Sequence, residues 1–382
     1  VEDGAEGEGA AVKFTTLPEH LLGPLQLVGG SIEKRHTLEI LSNVRLSLED
    51  RDGGELTFTG TDLETQLITQ ATVEEQRPGT ITVPHRKLLD LVRQLPDGQP
   101  VSVDVTDDRM TLRCGKSRFN LACLPAENFP AFEDAGWTTE LSIHEASLKR
   151  AMARTLYAMA NNDHRKYLNG LALEIEGALL TVMASDGHRL ALVDHVQESG
   201  GTDSRQLILP RRPAQELYKL LDDENRPVQL RIAAHQIQVQ TELWTYSSKL
   251  IDARVPNFRK PIPKEIDREI RIDRDAFRAA LSRVSLMSAE KDKFRAVHLE
   301  IAPGAMKMSA ESATGENAQD EIPIEYSGDE FSASFNATYL IEAAGNIDTP
   351  QLRWGFSESY SGSLITDLED SSYMHLVMPI KD

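Results

Sequence analysis

Asp186, Gly187, His188 and Arg189 put a carboxylate, an imidazole and a guanidinium side by side within the stretch MASDGHRLALVDH (183–195). An Asp–His pair orients and supplies the base in many hydrolases, so one reading of this stretch is general-base or nucleophilic catalysis. That chemistry also needs a Ser or Cys nucleophile brought up by the fold, and no spacing in the chain marks one. The other reading is a turn between two strands, with Asp and Gly as the turn residues and LALVDH as the returning strand.

The elements that would position these residues recur in threes. TVPHRKLLDLVRQLP (82–96), ILPRRPAQELYKLLD (208–222) and SFNATYLIEAAGNID (334–348) each run from a β-like residue through a turn residue into an amphipathic helix. Pro84, Pro210 and Asn336 are 126 residues apart each time. Upstream, Asp62, Asp186 and Glu311 recur at spacings of 124 and 125, in TGTDLETQL, MASDGHRLAL and SAESATGEN. Further upstream again, PEHLLGPLQLVGG, HEASLKRAMARTLYAM and DRDAFRAALSRVSLM carry apolar residues at helical spacing. Leu22, Leu25 and Val28, and then Leu148, Met152, Thr155 and Met159, form one apolar stripe per unit and belong to the core. VSVDV, MTLRC, LRIAA and IQVQT alternate as half-buried antiparallel strands do.

Three α+β units of about 125 residues follow, within the size of ordinary domains. The expected borders are 13–137, 138–266 and 267–382, after an acidic, Gly/Ala-rich leader at 1–12 that holds too little apolar surface to order itself. His188 and Arg189 have no counterpart at Thr61-Asp62-Leu63 or Glu311-Ser312-Ala313, which favours the turn over a shared catalytic role.

The chain has 382 residues and a formal net charge of −19, which argues against indiscriminate nucleic-acid binding. The charge is not evenly spread. The six expected helices (18–29, 84–95, 144–159, 210–221, 273–287, 336–347) hold 12 Lys/Arg against 7 Asp/Glu, while the remainder holds 29 against 53. Arg150 and Arg154, and Arg274 and Arg278, are four apart and share a helix face; Arg86 and Arg93, and Arg212 and Lys219, are seven apart and do too. Helices gathered on one side would offer a weakly positive surface to a polyanion, touching backbone charge rather than base edges. The two cysteines, Cys114 and Cys123, make neither a disulfide framework nor a metal cluster, and no cofactor is expected. No apolar run approaches the roughly 18–20 residues that span a bilayer, and no signal peptide is evident, so a soluble cytoplasmic protein without a membrane partner is expected.

At this level of detail the chain resembles a known family, the beta subunit of bacterial DNA polymerase III, the sliding clamp. The likeness covers almost all of 12–382 and is carried by LTFTGTDLE (56–64), VPHRKLLDLVRQLPDG (83–98), SRFNLACLPAENFP (117–130), YLNGLALE (167–174), ASDGHRLAL (184–192), SSKLIDARVPNFRKPIP (247–263), FNATYL (335–340) and the terminal VMPIKD. The resemblance implies a processivity factor rather than an enzyme. It implies three clamp-type α+β domains, each with two helices packed on antiparallel sheets, and a ring of two head-to-tail subunits around duplex DNA.

It further implies a pocket for short hydrophobic peptide motifs of the polymerase catalytic subunit, the clamp loader, repair polymerases and mismatch-repair proteins. Matched position by position, that pocket falls on Leu168, Ser185, Gly187, His188, Arg189, Leu190, Pro256, Lys260, Val377, Met378, Pro379 and Ile380. DNA contacts carried over from the family fall on Arg35, Asn162, Lys166 and Tyr167, beside Arg86, Arg150, Arg154 and Arg212 of the basic helices. The subunit interface falls on Lys87, Phe119, Leu286 and Met287, near an insertion-like AEKDK at 289–293. This sequence departs from the family pattern at Ser185, Lys260, Pro261 and the Lys381-Asp382 end. Two competing readings remain: a peptide-binding repeat scaffold that does not encircle DNA, and a hydrolase using Asp186 and His188.

Overall fold

Each sequence repeat starts a helix directly after a strand, and the computed structural model shows why the first turn holds. It describes residues 12–33, 38–49, 54–132, 136–196, 204–287, 295–312, 314–357 and 362–380. The helices are α1 (Pro18–Val28), α2 (His85–Val92), α3 (Glu145–Ala153), α4 (Arg211–Leu220), α5 (Arg274–Val284) and α6 (Ala337–Gly345). Proline or a capping side chain stands at most of these starts. Asp273 accepts from Ala276 N and Asn336 from Thr338 N, satisfying backbone donors that the first turn leaves free.

Helix α3 is shorter than the expected 144–159. Thr155 Oγ folds back 2.8 Å to the Ala151 carbonyl and 3.3 Å to that of Met152, and a separate short turn follows at Leu156–Ala158. A side-chain hydroxyl that captures backbone acceptors competes with the helix ladder, and here it ends it. At the other end of the chain, Val12 was expected in the leader but is fully buried, and its carbonyl accepts from Val105 N at 2.8 Å. An apolar side chain that can reach the first strand joins the core. The rest of the expected leader lies outside the described residues, as do Arg35, AEKDK and Lys381-Asp382.

By contacts the chain divides into two units, Val1–Ser142 with Pro227–Lys249, and Ile143–Arg226 with Leu250–Asp382. In the first unit, a five-stranded sheet runs Glu74–Arg77, Lys13–Thr16, Val101–Thr106, Arg109–Cys114, Ser117–Ala122. An eight-stranded sheet runs Thr139–His144, Pro227–Ile232, Gln236–Gln240, Trp244–Lys249, Thr65–Thr72, Glu55–Thr61, Asn43–Glu49, Gly79–Pro84.

The second unit repeats this plan. Its eight-stranded sheet runs Ser204–Pro210, Gly170–Glu176, Leu179–Ser185, Arg189–Val196, Tyr373–Val377, Ser363–Asp367, Gln351–Phe356, Arg268–Asp273. Its four-stranded sheet runs Asn317–Pro323, Ala305–Glu311, Ala296–Ala302, Phe331–Asn336. All recorded pairings are antiparallel, as the alternating strand patterns require. Each eight-stranded sheet takes strands from two sequence repeats. The repeat and the compact unit therefore do not coincide.

Candidate functional site

The stretch from Ser185 to Arg189 is a hairpin turn held by its own side chains. Asp186 Oδ1 accepts from the backbone N–H of His188 (3.0 Å) and of Arg189 (3.1 Å), and Oδ2 accepts from Arg189 Nε at 3.0 Å. Ser185 Oγ donates to the Arg189 carbonyl and accepts from Gly187 N. Gly187 has φ +92, and a Cβ there would lie 2.6 Å from the Arg165 guanidinium. The carboxylate that a catalytic reading requires is spent on the turn.

Arg189 is 8 % exposed. Besides Asp186 it pairs with Glu342 on α6, donates to the Tyr157 carbonyl at 2.6 Å, and stacks 4.3 Å over the Tyr339 ring. Below it, the Tyr157 hydroxyl meets Tyr373 Oη at 2.8 Å and His375 Nδ1 at 2.6 Å. Burial, with the Arg189 charge adding to it, pushes the His375 pKa down to about 3, so this imidazole is neutral. Burial likewise pushes the Tyr157 phenol well above its usual range.

Strand alternation sorts the pocket residues expected from the family. In the pair Arg189–Val196 and Tyr373–Val377, Arg189 stands opposite Val377 and Leu190 opposite Leu376. Leu168, Leu190 and Leu376 are buried in one apolar cluster with Val255 and Phe258, and Met378, Tyr167 and Ile262 pack on it half-buried. Ser185 pairs with Leu190 and so shares that face, while Gly187 and His188 form the turn at its rim. Arg189 and the fully buried Val377 face the other way, so strand pairing places them off the face that carries Leu190 and Leu376, where they were expected. Pro379 instead lines an aromatic recess with Phe331, Phe335 and Phe356, and Ile380 N donates to the Ser334 carbonyl. Pro256 is half-buried beside Val255, and Lys260 is exposed.

Sequence reasoning missed Val255, Phe258 and Ile262, although all three lie in the quoted SSKLIDARVPNFRKPIP; their apolar spacing was the available signal. It also missed Arg165. This side chain binds both Asp163 oxygens and the Asp186 carbonyl, so it ties the loop holding Asn162 and Lys166 to the hairpin turn. The Arg165 hydrogen bonds hold the Asp163 carboxyl below the usual carboxylate range.

The basic residues divide as well. Arg86, Arg212, Lys166 and Asn162 are exposed, Asn162 with φ +60, and Tyr167 is half-buried. Arg86 reaches Asp90 at 3.8 Å, and Arg150 pairs with Asp348 at 2.6 Å while staying 59 % exposed. Arg154 was expected on the same face but is 4 % exposed, bonded at 2.6 Å to both Asp348 and Asp370 and lying 5.0 Å over the Tyr373 ring. An acidic pair some two hundred residues away draws it inward, so it is not a surface contact for a polyanion. Although partial burial opposes ionisation of Asp370, hydrogen bonds from Ser372 and Arg154 hold its pKa at about 2.

Of the expected interface residues, Leu286 is 73 % and Met287 37 % exposed just after α5, Lys87 is exposed on α2, and Phe119 is half-buried on the outer strand Ser117–Ala122.

These features define a class: an α+β chain of three repeats that carries an apolar, half-open surface where strands of the second and third repeats pair. Comparison with known proteins also gives three domains. Residues 12–133, 142–257 and 259–381 match the N-terminal, central and C-terminal domains of the DNA polymerase III beta subunit. The chain is 37 % identical over 369 residues to the beta sliding clamp of Pseudomonas aeruginosa, covering 96 % of this chain and 99 % of that one. It is 36 % identical over 371 residues to that of Escherichia coli, covering 97 % and 100 %. A crystal structure of the Pseudomonas aeruginosa sliding clamp bound to griselimycin superposes with TM-score 0.93 at 37 % identity, covering 98 % of this chain and all of that one. Caulobacter crescentus pol III beta gives 0.90 at 31 % identity, covering 97 % and 100 %. The chain belongs to the DNA polymerase III beta subunit family, and its function is that of a DNA sliding clamp; a scaffold without DNA is not favoured.

Proposed function

We propose that two copies of this chain close head to tail into a ring around duplex DNA, and that the apolar surface beside Met378 tethers the replicative polymerase to it. The observation that carries the ring is a repeated pairing. Thr65–Thr72 joins Trp244–Lys249 in one eight-stranded sheet, and Arg189–Val196 joins Tyr373–Val377 in the other. Among the described residues, Ser117–Ala122 and Asn317–Pro323 are outer strands without such a partner. An unpaired edge is a template for another strand, and a second copy supplies it here. Lys116 and Arg118 lie on or beside the first edge, and Glu321 on the second, where Asp320 is already bonded to Arg283, so unlike charges meet head to tail. Phe119 then packs on Leu286 and Met287, and Lys87 faces acids of the third repeat.

In this reading the domains run 13–137, 138–266 and 267–382. Arg35, Arg86, Arg150, Asn162, Lys166, Tyr167 and Arg212 touch DNA. Leu168, Ser185, Gly187, His188, Leu190, Pro256, Lys260 and Met378 receive the peptide, with Arg189 and Val377 supporting them from behind and Pro379 and Ile380 closing one end. The clamp loader, repair polymerases and mismatch-repair proteins use the same site. The protein works in the cytoplasm and catalyses no reaction, because Asp186 serves the turn.

The test is topological. The protein should stay on nicked circular plasmid through gel filtration and leave once the plasmid is linearised, and Leu286→Arg should abolish retention by splitting the dimer. Retention on the circle should change little between about 50 and 200 mM salt, whereas a protein bound through 6–10 phosphates loses roughly 10³–10⁵ in affinity over that range. Equal retention on circular and linear DNA would refute the ring.

A further inference from the structure

We propose that Arg259 is a positioning residue of the peptide site, fastening the irregular segment 250–267 onto the sheet so that its apolar side chains stand ready for the peptide. The inference rests on the peptide-site reading above. The segment supplies Val255 and Phe258 to the apolar cluster and Ile262 to its half-buried margin. Its backbone is anchored on the sheet at its two ends. Ile251 N donates to the Ile208 carbonyl and Asp267 N to the Phe356 carbonyl, each at 2.9 Å, and between these ends the recorded backbone bonds are local: Ala253 to Ile251, Lys260 to Asn257, Ile262 to Arg259. A stretch of this length without regular structure is held by side chains or moves.

Arg259 supplies the hold. Its Nη2 donates to Asp194 Oδ1 at 2.6 Å and to Thr181 Oγ at 3.2 Å, while Thr181 Oγ donates to the same Asp194 oxygen at 2.7 Å. Thr181 and Asp194 are directly paired across neighbouring strands, and Thr181 is 1 % exposed. They stand on the face that also carries Met183, Leu190 and Leu192 of the cluster. The guanidinium thus clasps a rigid part of the sheet from the turn between Phe258 and Ile262.

The corresponding segment of the first repeat shows what the clasp replaces. There Leu124 and Thr82 exchange two backbone bonds of 3.2 and 3.1 Å, and Thr82 Oγ adds a third to the Leu124 carbonyl at 2.8 Å. Phe129 is buried as Phe258 is, but Asn128-Phe129 is followed by Pro130, where Asn257-Phe258 is followed by Arg259. The second segment keeps one of these backbone bonds, Ile251 N to the Ile208 carbonyl, and in place of the others has the Arg259 side chain on Asp194 and Thr181.

A fluorescent peptide of the Gln-x-x-Leu-Phe type is titrated against the full-length protein, with Met378→Lys as the site control. Arg259→Ala should weaken binding by roughly tenfold, mainly through faster dissociation, because the segment must then be ordered by the peptide itself. Asp194→Asn should weaken it similarly, the double variant should be no worse than either single one, and Arg259→Lys should recover most of the affinity. Sedimentation and retention on circular DNA should match the unaltered protein in all four. Unchanged affinity in both Arg259→Ala and Asp194→Asn, with Met378→Lys still disabling the site, would overturn the positioning role alone. Additive losses, or no recovery in Arg259→Lys, would also overturn it. Indifference of binding to Met378→Lys would show that the peptide site itself is misplaced.

Discussion

The hairpin turns of the first and second repeats are built from one set of bonds and carry different chemistry. At Thr61–Thr65, the Thr61 hydroxyl donates to the Thr65 carbonyl and accepts from Leu63 N, while Asp62 Oδ1 accepts from Glu64 N and Thr65 N. Ser185–Arg189 makes the same four contacts in the same order. Even the strand that follows is received alike: Lys249 N donates to the Glu64 carbonyl and Met378 N to the His188 carbonyl, each at 2.9 Å. The side chains then part. Lys249 and Glu64 form an ion pair of 3.2 Å, whereas Met378 lies on an apolar cluster beside His188. Arg189 stands where the first repeat has Thr65, and His375 where it has Tyr246. The backbone frame is shared by the two repeats, and the proposed peptide site is a matter of which side chains the second copy of that frame presents.

The comparison breaks most sharply at Arg154, whose place in the first repeat is taken by Leu27. Arg154→Ala should cost about 2–3 kcal/mol in chemical denaturation, since Asp370 loses its 2.6 Å partner and keeps only Arg150 at 3.7 Å, while the more exposed Asp348 stays paired with Arg150. Leu27 is only half-buried, and Leu27→Ala should cost roughly 1 kcal/mol. Similar losses in the two variants would mean that the ion cluster does not distinguish the repeats.

Next in size is a transplant. His188→Glu with Met378→Lys writes the first repeat's ion pair onto the second. Peptide affinity should fall by about 2 kcal/mol or more, roughly thirtyfold, with the dimer intact by sedimentation. A double variant that still binds would show that the cluster beside Met378 is not the anchor.

A smaller effect should follow pH. His375 is held neutral with a pKa of about 3 against 6.5 for the free side chain, so between those values the unfolded chain binds a proton that the folded one refuses. Stability is complete above 6.5 and falls as pH drops below it, by about 1 kcal/mol per pH unit. The first repeat has Tyr246, not a histidine, at this place. Thermal unfolding between pH 7.5 and 5 should therefore show a downward slope that flattens in His375→Phe; an equal slope in both would assign the acid sensitivity elsewhere.

The smallest effect concerns the turns. Leu63 takes φ +74 where the second repeat has Gly187 at +92. Leu63→Gly should stabilise by up to about 1 kcal/mol by relieving a left-handed side chain, and Gly187→Ala should destabilise by at least as much. Opposite signs in thermal unfolding are the expected result.

Much of this architecture was legible in the chain itself, because it depends on periodicity and local chemistry. The three helix–strand units, five of the six helices to within a few residues, and the turn nature of Asp186-Gly187 follow from apolar spacing and turn residues that act over fewer than ten positions. The gathering of basic residues on helices was equally open to counting. What the tertiary structure alone decided is the direction of long side chains and the identity of distant partners. Arg154 turns inward because Asp348 and Asp370 await it, and Arg189 and Val377 point away from the face of Leu190 and Leu376 because strand pairing fixes their alternation. Arg259 becomes a clasp only once Asp194 and Thr181 are brought beside it. These choices rest on contacts between residues 65 to 216 positions apart, and a linear spacing carries no record of which of many charged residues will meet.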